Sequence, residues 1–190
     1  CRKTPKCCNQ WWNFCKAGYA ASSVDMRIGI VAAEPSGDTL AAGLMQAIKS
    51  VHPEVVFEGV GGPLMLEQGM QSWFPMDKLS VMGLVEVLKH LPELLAIRRK
   101  LVQRWRQSPP DLFIGVDAPD FNLGLETSLR SAGVTTVHYV CPSVWAWRPK
   151  RVNKIRDAAD LVLSIFPFEK DFLSRHRIKA SYVGHPLAQA

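Results

Sequence analysis

"DLFIGVDAPDFNLGLETSLRSAG" (111–133) runs from an unbroken apolar stretch through "DAPD" into a helically spaced segment. Apolar side chains at consecutive positions of 111–117 bury both faces of a strand, as in a parallel sheet covered by helices on each side. The spacing of 121–133 predicts a helix, with Gly133 expected to close it. Working outward, strands are expected at 27–33, 55–61, 135–141, 161–166 and 181–185. Helices are expected at 37–51, 91–107, 149–159 and 168–176, with Pro92 in the first turn of its helix. This alternation predicts an α/β fold, a doubly wound, Rossmann-like parallel sheet. No internal repeat or low-complexity linker interrupts it. The chain ends in "GHPLAQA", directly after a strand, so half of a larger architecture is expected.

With 190 residues, 47% hydrophobic and 21% charged, the chain suits one globular domain with a real core. No apolar run reaches the roughly 18 residues of a membrane span. The net charge of +6 is unevenly placed. Arg2, Lys3, Lys6 and Lys16 against Asp25 leave +3 in the first 25 residues, so the other 165 carry only +3. That is an ordinary value, and no nucleic-acid partner is expected. Cys1, Cys7, Cys8 and Cys15 crowd the same short segment, without zinc spacing and without the apolar core of a signal peptide. Residues 1–25 are therefore expected to be extraneous to the working fold. The body, 26–190, with Cys141 alone, reads as cytosolic.

Open parallel sheets bind ligands beyond the carboxyl ends of their strands. Here those ends carry Glu34-Pro35-Ser36-Gly37-Asp38, Gly61-Gly62-Pro63, Asp117-Ala118-Pro119-Asp120, Pro142-Ser143-Val144-Trp145-Ala146-Trp147, Phe166-Pro167 and Gly184-His185-Pro186. Asp117, at the end of a buried strand, is suited to accept a proton from a hydroxyl nucleophile. Asp120 opens the next helix, where a carboxylate caps free N–H groups. Ser36 is either the cap of its own helix or a substrate ligand. "AAEPSGD" lacks both the dinucleotide fingerprint and the Walker lysine, so neither NAD nor ATP is expected. In "PSVWAWRPKR" (142–151), Trp145 and Trp147 alternate beside Arg148, Lys150 and Arg151. One ring suits a sugar or acyl chain, and the cations suit phosphate; packing and a solvated helix start are the plainer alternative. His185 is either an acid, base or phosphate donor, or a satisfied turn histidine. His138, inside a strand, is expected to be structural.

In 79–107, the apolar residues, Leu84, Val85, Leu88, Leu91 and Leu95 among them, exceed what one helix face needs. Arg98 and Arg99 open a basic cluster directly after them. That order suits a segment lying in a membrane interface, or else a core helix with a basic outer face.

Seven stretches carry a family resemblance: "EPSGD" (34–38), "GVGGPLM" (59–65), "LSVMGLVEVL" (79–88), "IGVDAPDFN" (114–122), "HYVCPSVWAWRPKRV" (138–152), "FPFEKDF" (166–172) and "YVGHPLA" (182–188). Together they resemble lipid-A-disaccharide synthase, a glycosyltransferase family of the GT-B type, over residues 27–190. Ala33 stands where glycine is expected and Cys141 where serine is usual, and neither change removes a reacting group. Residues 1–25 match nothing in the family.

The resemblance implies the N-terminal half of a GT-B fold. Residues 26–190 would be the acceptor-binding domain, with the C-terminal UDP-sugar domain missing and the fragment alone inactive. It implies transfer of a sugar from UDP-2,3-diacylglucosamine to 2,3-diacylglucosamine 1-phosphate, giving the β-1,6 disaccharide phosphate of lipid A and UDP. The configuration inverts, and Asp117 is the implied base. Substrate is expected at Glu34, Ser36, Gly37, Asp38, Gly62, Met82, Pro119, Ser143, Trp145, Trp147, Arg148 and His185. Neither a metal nor a cofactor is implied. The implied location is peripheral, on the cytoplasmic face of the inner membrane. The rivals are a non-catalytic lipid- or membrane-binding module, which has no use for Asp117, and another UDP-sugar enzyme such as a 2-epimerase, which needs no interfacial patch.

Overall fold

The computed structural model describes residues 26–80, 84–143 and 151–184, and of 84–89 the backbone alone. Seven strands are described: β1 (Arg27–Ala32), β2 (Val56–Gly61), β3 (Gln71–Pro75), β4 (Leu112–Val116), β5 (Thr135–Tyr139), β6 (Leu161–Ser164) and β7 (Ala180–Tyr182). All pair in parallel, in the order β3-β2-β1-β4-β5-β6-β7. The chain winds outward from β1 to β3, returns to the middle, and winds the other way from β4. The switch point therefore lies between β1 and β4, where Ala32 sits beside Val116.

Six helices are described: α1 (Pro35–Lys49), α2 (Pro63–Glu67), α3 (Leu84–Gln107), α4 (Pro119–Arg130), α5 (Arg151–Ala158) and α6 (Pro167–Arg175). Strand side chains alternate between two cores. Ile28, Ile30, Phe57, Leu112, Ile114 and Val116 face one side, with Ala41, Met45 and Ile48 of α1 and Met65 of α2. Val31, Val60 and Phe113 face the other, with Ile97, Leu101 and Trp105 of α3 and Leu125 and Leu129 of α4. On that side α5 and α6 add Val152, Ile155 and Leu173 against Val162. Both faces are covered, as the doubly wound pattern requires.

Three differences from the sequence reading have physical reasons. Helix α3 begins at Leu84, so Pro92 lies in its interior rather than its first turn. The helix runs through it, forgoing the hydrogen bond that proline cannot donate. Residues 63–75 hold a helix and an edge strand that the reading left unassigned. Strand β3 is only half-buried and joins β2 through an irregularity at Gly59/Val60. Gly59 has φ 143 there, and a Cβ would stand 2.2 Å from the Ile30 carbonyl oxygen. Only glycine fits. Beyond α4, Ser131 takes the cap and Gly133 follows two residues later at φ 88, donating to the Arg130 carbonyl at 2.9 Å.

Candidate active site

Because every strand is parallel, their carboxyl ends share one edge, and the β1 and β4 ends are neighbours at the switch point. Asp117 follows β4 with φ 50, and Ala118 follows it with φ 42. Two consecutive left-handed residues that are not glycine cost about 1–2 kcal/mol each. Val140, directly after the adjacent β5, has φ 78, a rarer strain still for a β-branched residue.

The surroundings hold these turns in place. The Asp117 amide donates to the Tyr139 carbonyl at 2.8 Å, tying the two strand ends together. Asn122, fully buried on α4, donates through Nδ2 to the Asp117 carbonyl at 2.9 Å and the Val116 carbonyl at 3.1 Å. It also reaches the Val31 carbonyl of β1 at 3.4 Å. A single amide thus spans the switch point. With its backbone so fixed, Asp117 keeps a half-buried carboxylate that accepts no hydrogen bond from the described residues.

One turn along α4, Glu126 accepts or shares a proton with His138 Nδ1 at 2.7 Å, both fully buried. His138 is therefore structural, as its place in a strand suggested. Burial pushes the Glu126 carboxyl above its usual range, and His138 opposes that shift more weakly. Asn122 Oδ1, Glu126 Oε2 and His138 Nε2 each lack a partner among the described residues, so a polar seam lies beneath the Asp117 turn.

At the β1 end, Glu34 and Ser36 are exposed. Ser36 is not a cap: Glu34 occupies that position, and no side-chain cap hydrogen bond forms there among the described residues. Gly37 is buried, packing on Ala32 and on the backbone of Val116. Asp38 is also buried, and its carboxylate accepts from the Gly62, Leu64 and Met65 amides at 3.0–3.1 Å. It caps α2, the neighbouring helix, from across the edge. Gly62 admits that approach, since a Cβ there would lie 2.5 Å from Asp38 Oδ2.

Asp120 does not cap α4 as expected. Ala118 holds the cap position with no side-chain bond, and Pro119 opens the helix. Asp120 instead pairs with Arg151 of α5 at 2.5 Å. Ser143 is exposed after β5. Cys141 is buried, and burial followed by the nearby Glu169 charge pushes its thiol up to about 12, so it is no nucleophile at neutral pH. Among the described residues no group of three His, Cys, Asp or Glu side chains is placed to hold a metal ion. Met82, Trp145, Trp147, Arg148 and His185 lie outside the described residues.

The α3 segment divides. Ile97, Leu101 and Trp105 are buried at four-residue spacing, which makes the second half a core helix with a basic outer face. Leu91 is exposed, Leu95 and Arg98 are half-buried, and Arg99 is exposed. The side chains of Leu84, Val85 and Leu88 lie outside the described residues. No helix among the described residues is long and apolar enough to cross a membrane.

The sequence reading missed the Asn122 clamp and the Glu126–His138 pair. Asn122 and Glu126, one turn apart and on the helix face that carries Leu125 and Leu129, were the available signal.

This edge offers a carboxylate with no donor among the described residues, on a strained turn beside exposed polar loops. The family model for lipid-A-disaccharide synthetase matches residues 28–190. Curated proteins named lipid-A-disaccharide synthase are 57% identical in Hahella chejuensis and 59% identical in Azotobacter vinelandii, each over 86% of this chain. One in Pseudomonas syringae pv. tomato is 60% identical over the same share. The chain spans only 41% of the first of these proteins and 43% of the other two. On a match that runs from β1 to residue 190, the chain belongs to the lipid-A-disaccharide synthetase family.

Proposed function

We propose that this chain is the acceptor-binding, base-carrying part of a lipid-A-disaccharide synthase. The observation that carries the reading is the Asp117 carboxylate, unpartnered among the described residues and held on a strained turn at the switch point. The donor is UDP-2,3-diacylglucosamine and the acceptor 2,3-diacylglucosamine 1-phosphate. Asp117 takes the proton of the acceptor 6-hydroxyl as that oxygen attacks the anomeric carbon. The bond from that carbon to the UDP oxygen breaks on the opposite face, and UDP leaves with its electron pair. The configuration inverts to a β-1,6 linkage, and the proton passes from Asp117 to solvent.

The surrounding residues fit subordinate roles. Glu34, Ser36 and Ser143 are exposed on the same edge and available to sugar hydroxyls. Gly37, Asp38, Gly62 and Pro119 shape the loops. Trp145, Trp147, Arg148, Met82 and His185 complete the substrate-binding set by family resemblance. Acyl chains on both substrates give the exposed Leu91 and the apolar segment before it a reason to meet the cytoplasmic face of the inner membrane.

The test uses the gene expressed to its natural stop codon, with UDP and disaccharide phosphate followed from the two acylated substrates. Asp117→Asn is expected to lower turnover by about a thousandfold, within the range of a lost general base. Wild-type turnover in a folded variant would place the base elsewhere.

A further inference from the structure

Helices α3, α4 and α5 leave between them a groove of about 380 Å³, lined by helix residues alone. Arg98 enters it from α3, Asp120 and Gly124 from α4, and Arg151, Lys154 and Asp157 from α5. It opens at the first turn of α4, three residues beyond Asp117. Its volume suits a small ligand rather than a bare ion.

The charges in it are unevenly matched. Arg151 is largely buried and pairs with Asp120, whose side chain is 85% exposed. Arg151 thus forms wall, while Asp120 is a solvated counter-ion that can swing away. Among the described residues Asp157 reaches only Arg156, at 3.9 Å. Arg98 and Lys154 have no acidic partner among the described residues. Gly124 is what lets Arg98 lie there: a Cβ at that position would be 2.5 Å from its Nη1 and 3.2 Å from its Cζ. A half-buried guanidinium laid over a helix without an acid to meet it presents its fork of N–H donors to the groove. The positive end of the α4 dipole, whose first turn lines the groove, adds to the same field.

We propose that this groove binds a phosphate group borne by a lipid, with Arg98 and Lys154 as its main ligands and Arg151 released from Asp120 to join them. The phosphate has two available sources: the 1-phosphate of the acceptor, which rests on the function proposed above, and the headgroup of an anionic bilayer phospholipid.

Two measurements on the full-length protein separate the sources. The wild type is compared with Arg98→Gln/Lys154→Gln and with Lys154→Gln alone, an exposed substitution that leaves folding intact. Steady-state kinetics gives separate KM values for acceptor and donor. Co-sedimentation with phosphatidylglycerol and with phosphatidylcholine vesicles gives bilayer affinity. A rise of about tenfold or more in acceptor KM, with donor KM and vesicle binding unchanged, identifies the acceptor phosphate. A similar loss of binding to phosphatidylglycerol vesicles alone, with acceptor KM unchanged, identifies the bilayer headgroup. No change in either measurement overturns the proposal. If the wild type does not turn over these substrates, the function reading fails by itself and the vesicle comparison decides the groove.

Discussion

The two edges of one sheet are built differently. At the amino-terminal edge the charges are matched. Asp111 accepts from the Arg27 amide at 2.8 Å, and the Arg27 guanidinium donates to Ser108 and Glu58. Glu58 also accepts from the buried Trp105 indole at 3.1 Å. Asp160 repeats the device at β5, accepting from the Thr136 amide at 3.0 Å while pairing with Arg130 at 2.9 Å. At the carboxyl edge, Asp117 has no donor among the described residues, Glu34 and Ser36 are exposed, and Asp117, Ala118 and Val140 hold left-handed backbone. Satisfied groups stabilise a fold, and among the described non-glycine residues only Arg177, φ 60, is left-handed at the amino-terminal edge. Unsatisfied groups on strained backbone are tolerated where a ligand or a reaction uses them. The difference assigns stability to one edge and chemistry to the other.

If that division holds, the largest stability loss belongs to Trp105→Ala. It opens the cluster in which Trp105 meets Trp73 and Phe113 at ring separations of 5.1 Å. Denaturant unfolding is expected to show a loss of about 3–5 kcal/mol. Gly62→Ala comes next, because its Cβ displaces the Asp38 carboxylate from the α2 amides. A cost of about 1–2 kcal/mol is expected, the usual value of a lost cap, with substrate KM little changed. A raised KM at native stability would instead make Asp38 a substrate contact.

The Glu126–His138 seam gives a pH signature. Burial raises the Glu126 pKa in the folded state above its unfolded value, so its contribution is fully present below the unfolded pKa, near 4.5. It is lost as pH rises through the folded pKa. Glu126→Gln removes that titration. The variant's stability relative to wild type is expected to improve as pH rises from about 4.5 toward neutrality. A pH-independent difference contradicts the direction. The smallest effect is that of Ala118→Gly, which relieves left-handed strain but frees the unfolded chain. Thermal unfolding is expected to show a gain of no more than about 1 kcal/mol.

Much of this was legible in the sequence because it is local. Consecutive apolar residues at 112–116 announce a strand buried on both faces, and "DAPD" marks its end. Position after a buried strand made Asp117 a candidate, and the family resemblance is what implied its role as base. The rest depends on partners far along the chain. Arg27 and Asp111 are 84 residues apart, and Asn122 reaches a carbonyl 91 residues away. Asp38 reads as part of a ligand loop until α2, 24 residues on, is placed against it. Asp120 has every local feature of a cap, yet the left-handed Ala118 starts α4 and leaves it free to meet Arg151. Strand β3 escaped because a short, half-buried edge strand carries neither a doubly buried run nor a clean alternation.

One paired measurement tests the division most directly: turnover and melting temperature on the same full-length preparations of Asp117→Asn and Glu58→Gln. The account predicts that Asp117→Asn loses about a thousandfold in turnover and melts within about 2 °C of wild type. Glu58→Gln should melt several degrees lower, roughly 4–8 °C per kcal/mol for a domain of up to 100 residues and less for a larger one, and keep its kcat. A lowered melting temperature for Asp117→Asn with its turnover intact, or lost turnover in a stable Glu58→Gln, would contradict it.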